Sequence, residues 1–196
     1  MPEVDGDVRL ILASKSPRRA DLLKQLGLDF LQEEADINEE QTLAGDPVQM
    51  VRELAERKAN AVQALHNGIH EIIIAADTVV CMNGKIFGKP KSAREACEML
   101  RALSGGMHQV YTGVCVCNRA DKRVEHECTN VTFAPLSEEL ILRYVQSGEA
   151  MDKAGAYGIQ GKAAVFVRKI EGCYYNVVGL PLHRLSQMLR DFGVYI

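Results

Sequence analysis

The groups able to do chemistry in this chain of 196 residues are charged side chains set beside apolar runs. Ile72-Ile73-Ile74-Ala75-Ala76 reads as a strand covered on both faces, and Asp77-Thr78 follows it directly. An acid at the end of such a strand stands where open α/β sheets hold their ligands, and its carboxylate can hold a metal ion or activate water. The plainer reading is an ordinary turn. Ser14-Lys15-Ser16-Pro17-Arg18-Arg19 follows another apolar run and opens a helix. Free backbone N–H groups, the hydroxyls of Ser14 and Ser16 and the guanidinium groups of Arg18 and Arg19 make a cradle for phosphates there. Two arginines oppose the helix dipole at that place, a mismatch that an anionic ligand would relieve; a solvated basic pair is the alternative. Lys58 falls on a helical apolar stripe, four residues from both Leu54 and Val62. An inward ammonium needs an anion to meet it, or a route along the stripe's edge to water. Gly88-Lys89-Pro90 is a rigid turn carrying one lysine close in sequence to Asp77.

A second group of candidates lies in Met151 to Gly161, where three glycines in eleven residues favour a loop of close approach over a helix or strand. Asp152, Lys153, Tyr157 and Gln160 are the polar groups this loop could present. A glutamine amide suits a planar ring that offers both a donor and an acceptor, such as uracil or thymine. A structural turn with exposed polar groups is the other reading. Acids and bases of these kinds point to phosphate ester chemistry with a divalent metal, carboxylates on the metal and cations on the phosphate oxygens. Neither the G-x-x-x-x-G-K-[ST] phosphate loop nor the G-x-S-x-G nucleophile turn occurs in the sequence.

The elements that must position these groups alternate between strand and helix. Val8 to Ala13 is a first strand, and Ser16-Pro17 starts a helix that stops at Gly27. Phe30 to Glu34 is a short strand before the acidic loop Asp36-Ile37-Asn38-Glu39-Glu40. Asp46-Pro47 opens a helix to about Leu65, with Val48, Val51, Leu54, Val62 and Leu65 as its stripe. Val79 to Met82 turns through Asn83-Gly84 into Lys85 to Phe87, the strongest short hairpin signal. Ser92-Ala93-Arg94-Glu95 is a capping box for a helix ending near Leu103. Two long strands, His108 to Asn118 and Arg123 to Phe133, form an antiparallel pair, and Ser137 caps a helix ending at Gly148. A last hairpin joins Ala163 to Ile170 with Tyr174 to Val178, and Pro181 is the first residue of a final helix to Phe192.

Composition bounds the rest. With 47% hydrophobic and 25% charged residues, the chain has the make-up of a soluble globular protein, one domain or two small lobes around one core. A net charge of −3 gives no basis for nucleic-acid binding, and no apolar run approaches the roughly 20 residues that span a bilayer. The start Met1-Pro2-Glu3-Val4-Asp5 is acidic and lacks a secretory-signal pattern. Six cysteines without C-x-x-C spacing read as reduced thiols of a cytoplasmic protein, with Cys115 and Cys117 facing one side of a strand.

From Leu10 to about Phe192 the chain resembles the Maf family of nucleoside triphosphate pyrophosphatases. The resemblance rests on five motifs in order: Ala13 to Arg19, Ala76-Asp77-Thr78, Gly88-Lys89-Pro90, Met151 to Gly161, and Asn176 to Pro181. It implies a Maf- and ITPase-like α/β fold over residues 8–196 as a single domain. That fold has an elongated mixed, partly antiparallel sheet with helices, and two lobes around a central cleft. It implies hydrolysis of a nucleoside triphosphate to the monophosphate and pyrophosphate with Mg²⁺, or with Mn²⁺ or Co²⁺ in its place. By the same resemblance Asp77 is the catalytic acid acting as proton acceptor, and Arg18, Thr78 and Gln160 select the substrate. Glu39, Lys58 and Lys89 align with charged residues of the family's active cleft, with Glu40 and Asp36 as acids neighbouring Glu39. The mechanism expected on that basis has Asp77 and Glu39 as the metal ligands. Tyr157 to Gly161 resembles the branch acting on dTTP and UTP rather than the one acting on 7-methyl-GTP. A homodimer is implied as well. Two other roles are carried as alternatives: a nucleotide-binding regulator of cell division that needs no catalysis, in keeping with the family's association with septum formation, and a broad pyrophosphatase that clears damaged or modified nucleotides from the pool.

Overall fold

The computed structural model describes residues 3–4, 8–38, 45–66, 68 and 70–196. In chain order the elements are β1 (Glu3–Val4), β2 (Arg9–Ala13), α1 (Pro17–Gln25), β3 (Phe30–Glu33), α2 (Pro47–Gln63), β4 (Glu71–Met82), β5 (Lys85–Phe87) and α3 (Ala93–Leu103). They continue with β6 (Met107–Cys117), β7 (Lys122–Phe133), α4 (Glu138–Gln146), β8 (Val167–Glu171), α5 (Tyr174–Val178), α6 (Leu182–Arg190) and β9 (Val194–Tyr195). Seven strands form one mixed sheet in the order β3-β2-β4-β6-β7-β8, with β5 paired to β4. β2 is parallel to both β3 and β4, whereas β4 with β5 and β7 with β8 run antiparallel. The α/β expectation with a partly antiparallel sheet holds.

The chain divides into two compact units, residues 1–77, 112–127 and 179–196 in the first and residues 78–111 and 128–178 in the second. The first has a core of Ile11, Ala13, Ile73 and Ala75 from the parallel strands, Ala55, Ala59 and Val62 from α2, and Cys115 and Cys117. Small residues let α2 lie close on the sheet: a Cβ on Gly113 would stand 2.1 Å from the carbonyl oxygen of Val51. The two cysteines do share one buried face, and all six thiols are free. The second unit packs α3 and α4 around Phe133, Phe166, Leu100, Leu103 and Ile141.

Local signals set most boundaries. Asp46 accepts from the backbone N–H groups of Val48 and Gln49, Ser92 from Glu95 and Ser137 from Leu140, each satisfying a donor that the helix start leaves open. Asn83 and Gly84 both take the left-handed conformation of the hairpin turn, at φ 52° and 76°.

Five expectations need correction. Asp77 does not end its strand: β4 runs on to Met82, because Val79, Val80 and Cys81 prolong the buried pattern and β5 pairs with them. The last hairpin is not formed. Residues 162–166 are a 3₁₀ turn, β8 pairs with β7, and Tyr174–Val178 is a short helix. Pro181 precedes α6 as its cap residue rather than starting it. Ser16 stands at the cap position of α1 without a side-chain cap bond. Leu65 lies past the end of α2 and is 71% exposed.

Candidate functional site

In the first unit the sequence has placed a buried ion pair. Lys58 on α2 and Asp77 on β4 meet at 2.6 Å, Nζ to Oδ1, and each side chain is 11% exposed. The helical stripe aims Lys58 at the sheet, and the anion that meets it is a carboxylate of the same chain. Attraction between the two is strong at this burial, and leaving either one alone is costly. The pairing holds one carboxylate oxygen in place and keeps a cation beside it.

At the start of α1, Ser14 is fixed through each of its polar atoms. Its N–H donates to Leu12 O at 2.9 Å, its carbonyl accepts from Gln32 Nε2 at 2.8 Å, and its Oγ accepts from the Ser16 N–H and from Arg19, both at 3.2 Å. Arg19 is buried and also donates from Nε to Gly179 O at 2.8 Å. The two arginines that the sequence offers together are thus set differently: Arg19 is tied into the protein, and Arg18 is half-buried. Glu39 lies outside the described residues, as does its neighbour Glu40.

In the second unit, Thr78 is half-buried, and Lys89 and Gln160 are exposed. The loop from Met151 to Gly161 is tied to the lysine turn, because the Gly155 N–H donates to Gly88 O at 3.0 Å. Its glycines have separate reasons. Gly155 has φ 68° and sits against Val80, where a Cβ would come within 2.9 Å. A Cβ on Gly158 would meet Lys153 at 2.5 Å, and one on Gly161 would meet Glu149 Oε2 at 2.2 Å. Of the polar groups expected at this loop, Asp152 and Gln160 are exposed. Lys153 instead turns back to Glu149 O at 2.6 Å. Tyr157 is turned inward at 5% exposure, its hydroxyl 2.8 Å from His108 Nε2. His108 escaped the sequence reading. A lone histidine at the head of an apolar strand carries no signal of its own, and only the fold brings Tyr157 to it.

The donor set suits a hard divalent cation. Mg²⁺ is commonly held by one or two carboxylates, with substrate phosphates and water completing the shell, and Asp77 supplies a buried carboxylate of that kind. Among the described residues no three His, Cys, Asp or Glu side chains form a metal-holding group.

A family model described as Maf-like protein matches residues 9–192. The chain belongs to the Maf family. Two bacterial relatives bear this out at the level of sequence. The dTTP/UTP pyrophosphatase of Symbiobacterium thermophilum is 51% identical over 185 residues, covering 94% of each chain. That of Pelotomaculum thermopropionicum is 52% identical over 186 residues, covering 94% of this chain and 96% of its own. Among solved structures, the Ham1 protein of Staphylococcus aureus superposes with a TM-score of 0.53 at 16% identity, over 94% of this chain and 99% of that one. The Maf chain and Ham1 therefore share a fold. Among the described residues no helix of this Maf chain is long and apolar enough to cross a membrane.

Proposed function

We propose that this Maf-family chain hydrolyses dTTP and UTP to the monophosphate and pyrophosphate, with residues 8–196 acting as one catalytic domain. The observation that carries the reading is the buried Lys58–Asp77 pair, in a chain about half identical to proteins named dTTP/UTP pyrophosphatase. Asp77 is the group that accepts a proton from the attacking water, and Lys58 keeps that carboxylate oriented. The water attacks the α-phosphorus, the bond to the bridging oxygen breaks, and pyrophosphate leaves with the electron pair. Arg18 and Lys89 neutralise charge growing on phosphoryl oxygens, and Ser14, Ser16 and Arg19 shape the turn that receives the phosphate chain. Asp77 and Glu39 would hold a divalent ion, Mg²⁺ first and Mn²⁺ or Co²⁺ as substitutes; when bound it would neutralise phosphate oxygens. Thr78 and Gln160 select the substrate, with the Gln160 amide matching the donor and acceptor on one edge of a uracil or thymine ring. A cytoplasmic homodimer is the state in which the enzyme is expected to work.

The test is pyrophosphate release from UTP, dTTP, CTP, ATP, GTP and 7-methyl-GTP, with Mg²⁺ and with EDTA. Release from UTP and dTTP that EDTA stops supports the reading. Preference for 7-methyl-GTP would keep the reaction and overturn the role of Gln160. Silence on every nucleotide from folded protein would overturn the enzymatic reading and leave a nucleotide-binding regulator.

A further inference from the structure

The His108–Tyr157 pair takes no part in the chemistry above, and packing alone does not account for it. His108 is fully buried on β6. Its ring stands edge-on to Phe133 at 4.8 Å and to Tyr157 at 5.4 Å, and Phe133 stands edge-on to Tyr157 at 4.7 Å. An apolar ring would fill this space without a polar atom. His108 instead buries Nδ1 with no hydrogen-bond partner among the described residues, a destabilising feature that calls for an explanation. Burial pushes the imidazole down to about 4 and the phenol of Tyr157 upward, so both are neutral at physiological pH. What the histidine does that phenylalanine could not is hold the Tyr157 hydroxyl.

Tyr157 belongs to the loop that carries Gln160. The two residues before it are both left-handed, Gly155 at φ 68° and Ala156 at φ 60°. For alanine that is a strained conformation, which persists only where the surroundings over-determine it. The strained turn aims the Tyr157 ring into the core while Gln160, three residues on, stays at the surface. The Gly161 N–H closes a turn on Gly158 O at 3.1 Å, and Gln160 lies inside that turn. The Tyr157 side chain therefore anchors the inward end of a short rigid arm, and Gln160 lies on its outward end.

We propose that His108 and Tyr157 are positioning residues for base selection. Their hydrogen bond fixes the loop of residues 154–161, so that Gln160 meets a uracil or thymine ring in one orientation. The inference rests on the reading of Gln160 given above. Neither residue touches the substrate; both act through the loop.

Tyr157→Phe removes one oxygen and keeps the ring, and His108→Phe and the double variant accompany it. The readouts are kcat and KM for UTP and CTP with Mg²⁺, together with amide hydrogen exchange over residues 154–161. The expected result for Tyr157→Phe is a kcat for UTP within about threefold of the parent. KM should rise about tenfold, and the preference for UTP over CTP should fall by about tenfold. The loop amides should exchange faster while those of α3 and α4 do not. The double variant should lose no more preference than Tyr157→Phe alone, as two ends of one bond require. Unchanged KM, preference and loop exchange in Tyr157→Phe would overturn the proposal, as would a loss confined to kcat or to thermal stability. If the parent protein is silent on UTP and dTTP, the proposed function fails and base selection with it. Loop exchange then decides alone whether the pair fixes the loop.

Discussion

Among the polar pairs buried in this protein, two, one in each unit, are built in opposite ways. Lys58 and Asp77 in the first are both charged side chains, 2.6 Å apart and 11% exposed. His108 and Tyr157 in the second are neutral, 2.8 Å apart and almost wholly enclosed. A buried ion pair is a poor way to gain stability, since apolar residues of the same volume commonly do as well or better. A neutral pair with one unpartnered nitrogen is a poor way too, for the smaller reason of one lost hydrogen bond. Both are therefore costs accepted for something else, and the roles proposed above for the two pairs account for their difference. Chemistry on a phosphate needs charge held in place, whereas holding a loop needs only direction.

The sharpest way to break the comparison is at Asp77. Asp77→Asn keeps the shape, and its amide oxygen can still accept from Lys58, but it cannot take a proton from water. Pyrophosphate release from UTP should drop by about a thousandfold or more, roughly 4 kcal/mol of barrier, with circular dichroism unchanged. Full retention of rate would remove Asp77 from the chemistry.

The next effect is on stability. Lys58→Met leaves a buried carboxylate unpaired and should cost about 3–5 kcal/mol in a denaturant titration. Adding Asp77→Leu should return much of that loss while activity stays absent. Such a recovery would separate the pair's contribution to chemistry from its contribution to folding. A double variant as unstable as Lys58→Met would show that the charges also hold the fold.

The neutral pair answers to acid instead. Burial holds the folded His108 at about 4, against about 6.5 for an unfolded histidine. The unfolded chain thus binds a proton over that interval and the folded one does not. Stability from this residue is whole above about 6.5, falls as the pH is lowered, and is reduced by roughly 3 kcal/mol by the time the pH passes below 4. His108→Phe should flatten that part of the curve, measured as the denaturation midpoint between pH 7 and 4. An unchanged slope would mean that other groups carry the acid sensitivity.

How much of this could be read from residues alone depended on how local the cause was. Caps at Asp46, Ser92 and Ser137 and the Asn83-Gly84 turn act over three or four residues, and each element they announce is present. Lys58 could be aimed inward from its stripe, although not that its partner would be Asp77, nineteen residues away on another element. Asp77 itself reads in the sequence as a strand end, because an acid after small residues looks like punctuation. The apolar residues after it carry the strand on. Tyr174 to Val178 is the reverse case. Aromatic and β-branched residues favour a strand, yet the segment is helical and the buried Asn176 side chain donates to Val110 O and Thr129 Oγ1, both at 2.9 Å. Tertiary contacts made elsewhere in the chain outweigh its own preference.

The smallest expected effect sets a second histidine against His108. His66 accepts no apolar enclosure: its Nε2 lies 2.9 Å from Glu33 and its Nδ1 3.2 Å from Glu71. The hydrogen bond to Glu33, supported by Glu71, raises its pKa above the ordinary value against the opposing effect of burial. The sign is now reversed. The folded state binds the proton more tightly, so stability from His66 is whole from about 6.5 down to the carboxylate range, where its glutamate partners protonate, and is lost as the pH rises through the raised value. With Glu33 partly open to solvent, the contribution should stay within about 1 kcal/mol and shrink in high salt. His66→Gln should remove a shallow decline in the denaturation midpoint above neutral pH without touching the acid limb that belongs to His108. If His66→Gln changed the slope between about 6.5 and 5 instead, the assignment of opposite roles to the two histidines would fail, because a histidine whose pKa is raised in the folded state is protonated in both states over that interval and contributes no slope there.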